Sequence, residues 1–142
     1  MEQFGEFVTN HWLLFAALVV ITVMLVSNLT SSIGAAGRQL NPSQAVRLIN
    51  REGAVVLDVR EAKEFGAGHI VSAINVPESK LTERLKEIDH YRDQPVLLCC
   101  GTGMVAGRAG GALKKHGFSK LFALKGGIAA WQQENLPLTR EK

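Results

Sequence analysis

The chain has 142 residues, of which 46% are hydrophobic and 20% are charged, and a formal net charge of +3. This length suits one domain of ordinary size and disfavours a two-domain enzyme. All 16 basic residues lie at or beyond Arg38 without forming a block. The mild excess of positive charge is therefore not typical of a nucleic-acid-binding protein, and no nucleic acid is expected as a partner.

Residues 7–37 contain no Asp, Glu, Lys or Arg, and within them the run from Trp12 to Val26 is apolar except for Thr22. About 20 helical residues cross a hydrocarbon core of about 30 Å, so this run with its flanks is long enough to span a membrane. We predict a transmembrane helix at residues 12–30, a short extracytoplasmic N-terminus at 1–11 and a tether at 31–40. A cleaved signal peptide and a buried soluble helix are the alternatives, which the acidic N-terminal flank and the length of the run disfavour.

The basic residues indicate how this segment is oriented, because Lys and Arg near the ends of a span stay preferentially on the cytoplasmic side. The N-terminal flank has none, whereas Arg38, Arg47 and Arg51 follow the apolar run. We expect a single-pass protein of the bacterial inner (plasma) membrane with its C-terminal domain in the cytoplasm. The lipid bilayer is then one partner, and a membrane protein is a second candidate.

Beyond residue 40 the sequence alternates between helix and strand patterns. Asn41, Pro42 and Gln44 form a helix start signal, and the helix is expected to end at Gly53. Continuous apolar runs bounded by turn residues predict buried strands. The predicted strands cover residues 54–59, 73–76, 95–99 and 120–124, and the predicted helical segments cover 42–51, 61–65, 79–89, 106–116 and 128–134.

This alternation predicts an α/β fold, with a mostly parallel sheet that has helices on both faces, preceded by the transmembrane helix. In open parallel sheets, ligands bind beyond the carboxyl ends of the strands. The turns after Asp58, Cys99 and Leu124 are therefore expected to meet at one site.

The two cysteines, Cys99 and Cys100, are adjacent in sequence. This arrangement excludes a disulfide framework and a CxxC metal pair, and it favours a reducing compartment. We expect neither a bound metal ion nor another cofactor. Because successive strand residues point to opposite faces, the Cys99 side chain should be a small buried hydrophobic group on the face away from Cys100.

The glycine-rich turn after Cys100 admits three hypotheses. The pattern Gly101-x-Gly103-x-x-Ala106 fits a dinucleotide-binding fingerprint, but the acidic residue expected about 20 positions later is missing. A cysteine phosphatase would place Arg six residues after its cysteine to clamp phosphate, and this chain has Ala106 there, with Arg108 as the nearest Arg. In the third hypothesis Cys100 is a nucleophile at a helix N-terminus, where backbone N–H groups and the helix dipole stabilise a thiolate.

Three further motifs occur in an order and at a spacing that are found together in one known family. They are Leu57-Asp58-Val59-Arg60 with Glu64-Phe65, Gly68-His69-Ile70 and Ala73–Pro77; Pro95–Cys100 with Ala112-Leu113 and Gly117-Phe118; and Leu124–Ile128 with Trp131 and Leu136-Pro137. On these motifs the chain resembles the rhodanese family of sulfurtransferases, in a single-domain, membrane-anchored bacterial form. The resemblance covers about residues 41–138, which we take as the domain, with 139–142 as a C-terminal tail.

The resemblance implies roles for particular residues. Cys100 would be the persulfide-forming catalytic residue, and the substrate-binding loop would consist of Gly101, Thr102, Gly103, Met104 and Val105. The implied function is a membrane-anchored sulfurtransferase that moves sulfane sulfur from thiosulfate or a persulfide donor to a thiol or another thiophilic acceptor. Counted from Cys100 to Val105, the loop has six residues, and by the same resemblance this length favours sulfurtransfer over the related phosphatases, whose loop is one residue longer.

The alternative function is a weakly catalytic or non-catalytic module of the same fold that recruits a partner protein to the membrane. The neutral loop favours this alternative, whereas the presence of Cys100 favours the enzyme. Asp58, Arg60 and His69 are candidate supporting residues. We interpret Asp58 and Arg60 chiefly as a local ion pair with backbone contacts, and His69 as a structural turn residue.

Overall fold

The structure is a computed structural model that describes residues 1–35, 37–103 and 105–140, with only the backbone for residues 29–35. The chain divides into two compact units, Met1–Ser31 and Ser32–Lys142. Of the predicted segments, residue 36 of the tether, Met104 of the loop and residues 141–142 of the tail lie outside the described residues.

The first unit is helical. Helix α1 covers Glu2–Asn10, and helix α2 begins at Trp12 and continues to Ala35. Most apolar side chains of α2 between Trp12 and Val26 are exposed, with Leu18 at 59% and Met24 at 67%. Within the described residues, no helix by itself is long and apolar enough for a membrane span, whereas α1 and Trp12–Asn28 reach that length and hydropathy together across a 77° bend.

The second unit is built on a five-stranded parallel sheet, which confirms the predicted fold class. Its strands are β1 (Arg38–Leu40), β2 (Val55–Asp58), β3 (Ile74–Asn75), β4 (Val96–Cys99) and β5 (Leu121–Leu124). The strand order is β1-β5-β4-β2-β3, and every pairing is parallel. The carboxyl ends of β2, β4 and β5 therefore lie at one edge of the sheet.

The predicted tether is wrong at both ends. Residues 31–35 continue helix α2, and residues 38–40 form β1, an edge strand hydrogen-bonded to β5. The chain meets β5 at Gly37, which has a φ of +76° and where a Cβ atom would overlap the Leu121 carbonyl oxygen. Glycine is required there because the backbone comes so close to its neighbour. A three-residue strand whose partners lie 84 positions further along the chain has no local signature.

Helices cover both faces of the sheet, as predicted. They are α3 (Pro42–Glu52), α4 (Ala62–Ala67), α5 (Leu85–Ile88), α6 (Ala106–Lys115) and α7 (Gly127–Gln133). One buried cluster joins the sheet to α5 and α6, and a second cluster joins the opposite face to α3 and α7.

Helix α3 forms where its start signal predicts. The Asn41 side chain accepts a hydrogen bond from the Gln44 backbone N–H at 2.9 Å, and the Gln44 side chain accepts one from the Asn41 N–H at 3.0 Å. The helix ends at Gly53 in the left-handed conformation, with a φ of +64°. Both ends are thus set by local sequence.

The predicted continuous helix at residues 79–89 is wrong. The segment contains a 3₁₀ turn at Glu78–Lys80, the single turn α5, and a second 3₁₀ turn at Asp89–Tyr91. Leu81, Leu85 and Ile88 are nevertheless buried, as their spacing indicates. The apolar stripe therefore predicts which side chains face the sheet, but not the hydrogen-bond pattern of the backbone between them.

Candidate functional site

Cys100 immediately follows β4, at the carboxyl edge of the sheet. Side chains alternate along this strand, so Leu98 and Cys100 lie in the cluster beneath α5 and α6, whereas Leu97 and Cys99 lie in the cluster beneath α3 and α7. Cys100 is 2% exposed and Cys99 is fully buried. The two thiols therefore have different surroundings although they are adjacent in sequence.

The Cys99 thiol is held in its neutral form. Burial in the apolar cluster raises its pKa well above the usual value, and the nearby negative charge of Asp58 raises it further. Because the thiolate is the reactive form of cysteine, this raised pKa opposes reaction at Cys99.

The loop after Cys100 directs a backbone donor at its sulfur. The Gly103 N–H donates a hydrogen bond to Cys100 Sγ at 2.8 Å. Gly103 has a φ of +91°, a backbone conformation that residues other than glycine rarely adopt. Thr102 is exposed, while Gly101 and Val105 are half-buried, and Val105 precedes the first residue of α6. This arrangement stabilises negative charge on sulfur and on atoms bonded to it.

The turn after β5 holds this loop in place. The Ile128 N–H donates to the Cys100 carbonyl oxygen at 2.8 Å, and the Ala129 N–H donates to the Gly101 carbonyl oxygen at 3.2 Å. The free N–H groups at the start of α7 thus bind the backbone of the Cys100 loop. The turn after β2 reaches the same edge, since the Val59 N–H donates to the Cys99 carbonyl oxygen at 2.9 Å.

Gly127 allows the close approach between these two segments. It has a φ of +60°, and a Cβ atom at this position would overlap the Cys100 carbonyl oxygen. This turn was predicted to lie near the site, but Gly127, Ile128 and Ala129 were not among the predicted site residues. The glycine pair within the third motif, Gly126-Gly127, is the sequence signal for them.

Asp58 and Arg60 are paired with each other. The Arg60 guanidinium donates to both carboxylate oxygens of Asp58, with the closest contact at 2.7 Å, and to the Gly68 carbonyl oxygen at 2.6 Å. Burial opposes the charge of Arg60, but the hydrogen bond and the charge of Asp58 outweigh it and raise the Arg60 pKa. This buried pair joins the end of β2 to the loop before β3, as expected for a structural pair.

His69 connects its loop to Phe65 and to Thr139. Its ring stacks on Phe65 with centroids 3.8 Å apart, and Nδ1 lies 2.8 Å from the Phe65 carbonyl oxygen. Its backbone pairs with Thr139 through two hydrogen bonds of 2.9 and 2.8 Å. Thr139, predicted as part of the C-terminal tail, is therefore joined to the domain.

The site carries little positive charge. No side chain of loop residues 101–105 is charged. Arg108 on α6 is 76% exposed at its side chain and forms a 3.7 Å ion pair with Glu78. Among the described residues, no group of three or more His, Cys, Asp and Glu side chains is arranged to hold a metal ion. The site thus offers a cysteine, backbone N–H groups and a helix N-terminus.

Residues 41–134, which contain strands β2–β5 and the Cys100 loop, match the rhodanese-like domain family. The chain belongs to this family. The match confirms the resemblance seen in the three motifs.

Individual relatives agree with this assignment. The uncharacterized protein YibN of Escherichia coli strain K12 is 36% identical over 143 residues, which cover 100% of both chains. The thiosulfate sulfurtransferase GlpE of Actinobacillus pleuropneumoniae is 28% identical over 100 residues, covering 70% of this chain and 91% of GlpE. A solved structure of a rhodanese-related protein from Thermoplasma volcanium has a TM-score of 0.66 and 32% identity, covering 73% of this chain and 99% of that one.

Proposed function

We propose that this rhodanese-like protein is a membrane-anchored sulfurtransferase that carries sulfane sulfur as a persulfide on Cys100. The observation that carries the proposal is the 2.8 Å hydrogen bond from the Gly103 N–H to Cys100 Sγ at the strand-to-helix turn. Membership of the family and the similarity to a thiosulfate sulfurtransferase support sulfur transfer as the reaction class.

The proposed reaction has two steps. The Cys100 thiolate attacks the outer sulfur of thiosulfate, the sulfur–sulfur bond breaks, and sulfite leaves with the bonding electrons. A thiol or another thiophilic acceptor then attacks the terminal persulfide sulfur, and the Cys100 thiolate is released. The Gly103 N–H and the N-terminus of α6 stabilise the sulfur anion before the first step and after the second.

Intact-mass analysis of the full chain tests the chemistry. After incubation with thiosulfate or a persulfide donor, we expect a species heavier by one sulfur atom, which an added thiol acceptor removes. The alternative of a binding module is favoured by the 2% exposure of Cys100 and by the uncharged loop. If no donor adds sulfur to the chain, the binding module replaces the enzyme.

Membrane anchoring and orientation form a separate prediction. The apolar first unit and the absence of basic residues before Arg38 support an anchor with the C-terminal domain in the cytoplasm. Protease added outside intact spheroplasts should leave a C-terminal tag undigested, and should digest it after the membrane is permeabilised. Digestion of the tag in intact spheroplasts would reverse the proposed orientation.

The uncharged loop predicts weak capture of thiosulfate. The dianion meets backbone N–H groups and a helix dipole equivalent to only about half a charge. A Cβ at Gly101 would have no heavy atom within 4 Å, so a side chain can begin there without overlap. In Gly101→Arg, a charge-assisted hydrogen bond of about 1.5–3 kcal/mol should lower the KM for thiosulfate about tenfold or more. Val105→Arg tests the same effect from the other end of the loop.

Steady-state kinetics of Gly101→Gln, the uncharged counterpart of Gly101→Arg, distinguish the effect of side-chain charge on KM from the effect of side-chain size. The Gln variant should leave the KM for thiosulfate near the wild-type value, and neither change should improve an uncharged persulfide donor as much. If the wild-type protein saturates at low thiosulfate and neither Arg variant lowers KM, the backbone donors alone are sufficient for binding.

A further inference from the structure

A groove on the second unit collects positive charge away from the Cys100 loop. It has a volume of about 340 Å³ and lies between β1, helix α3 and β5. Its lining residues, which we call the arginine groove, are Arg38, Leu40, Gln44, Arg47, Leu48, Arg51, Glu52 and Phe122. The buried Leu40 and Leu48 provide an apolar floor, and the three Arg residues are exposed.

The charges of the arginine groove are not balanced among the residues that line it. The lining includes three arginines and a single acidic residue, Glu52. Within residues 1–35, 37–103 and 105–140, the ion pairs involve other arginines, and Arg38, Arg47 and Arg51 form none. Arg47 and Arg51 are also four residues apart on α3, where like charges repel and destabilise a helix. An anion bound between them would remove this repulsion.

We propose that the arginine groove binds the phosphate of an anionic phospholipid headgroup. Guanidinium groups bind phosphate through paired, charge-assisted hydrogen bonds, and three of them around one groove complement a phosphodiester. The proposal rests on the membrane anchoring described above. Arg38 follows the last residue of α2 by three positions, so a membrane that holds α2 presents headgroups to the groove at high local concentration.

Lipid binding by the full chain in detergent tests this proposal. Native mass spectrometry would measure binding of short-chain phosphatidylglycerol, with phosphatidylcholine and inorganic phosphate as the comparison ligands. The test variant is Arg38→Gln/Arg47→Gln/Arg51→Gln, since Gln retains helix propensity. The control, Lys114→Gln/Lys115→Gln/Lys120→Gln, removes the same charge from exposed positions at and beyond the end of α6, the helix on the opposite face of the sheet.

Each cation near an anionic lipid contributes about 1 kcal/mol, so the arginine variant should lose about 100-fold in affinity for phosphatidylglycerol. The lysine variant should retain that affinity, and phosphatidylcholine should bind poorly to all three proteins. Equal losses in both variants, or equal binding of the two lipids, would overturn the proposal. Inorganic phosphate that binds as tightly as phosphatidylglycerol would identify a free-phosphate site instead of a lipid site.

The same proteins separate this proposal from the proposed function. Sulfur labelling of Cys100 should be unchanged in the arginine variant, because the lining of the arginine groove includes no described residue of the Cys100 loop. If carbonate extracts the wild-type chain from vesicles, the anchoring proposal fails. If the chain stays in the vesicles and the lipid preference is absent, only the arginine groove proposal fails.

Discussion

Cys100→Ser should abolish the persulfide species and all sulfur transfer, whereas Cys99→Ser should retain both. The Cys100 sulfur accepts the hydrogen bond from the Gly103 N–H. Its side chain lies in the cluster beneath α5 and α6, on the face of the sheet opposite Cys99. A serine hydroxyl at this position cannot form a persulfide. Intact-mass analysis after donor treatment, together with the rate of sulfite release from thiosulfate, measures the outcome.

The adjacent cysteine is a matched control for this variant. Cys99 is fully buried on the opposite face, and burial keeps its thiol protonated by raising the pKa. Cys99→Ser should therefore affect only stability, because it buries a hydroxyl in an apolar cluster at a cost of about 1–3 kcal/mol. Sulfur that remained on the Cys100→Ser protein and disappeared from Cys99→Ser would reverse the assignment of the two cysteines.

Gly127→Ala should reduce sulfur transfer about 100-fold, because a displacement of about 1 Å at reacting groups can cost that much. The added Cβ would overlap the Cys100 carbonyl oxygen and lie 2.8 Å from the Gly101 carbonyl oxygen. The loop must move to accept it, which weakens the hydrogen bonds from Ile128 and Ala129 and shifts the Cys100 sulfur. The rate of sulfite release with thiosulfate measures this effect.

Gly53→Ala separates this displacement from backbone strain. Gly53 has a φ of +64°, close to the +60° of Gly127, but a Cβ at Gly53 would have no heavy atom within 4 Å. Both variants should lose about 1–2 kcal/mol of folding free energy through the left-handed conformation, and only Gly127→Ala should lose activity beyond its fraction unfolded. Equal activities per folded molecule in the two variants would show that the turn after β5 does not position the loop.

Short-range sequence patterns predict much of the fold. The alternation of apolar strands and amphipathic helices predicts the parallel α/β sheet, and Asn41, Gln44 and Gly53 predict both ends of α3. The same applies to Cys99 and Cys100, because the period of two along a strand assigns them to opposite faces. These features depend on neighbours within a few positions along the chain, where steric and hydrogen-bonding preferences act directly.

Local sequence patterns thus account for the fold class, the apolar first unit, the family and the cysteine that leads into the glycine-rich loop. Long-range packing accounts for the pairing of residues 38–40 with β5, the pairing of Thr139 with His69, and the hydrogen bonds from α7 to the Cys100 loop. It also brings Arg38 together with Arg47 and Arg51 in one groove. Each of these contacts joins segments far apart in sequence or in different elements. Their geometry follows from how the sheet and helices pack, and no local periodicity encodes it.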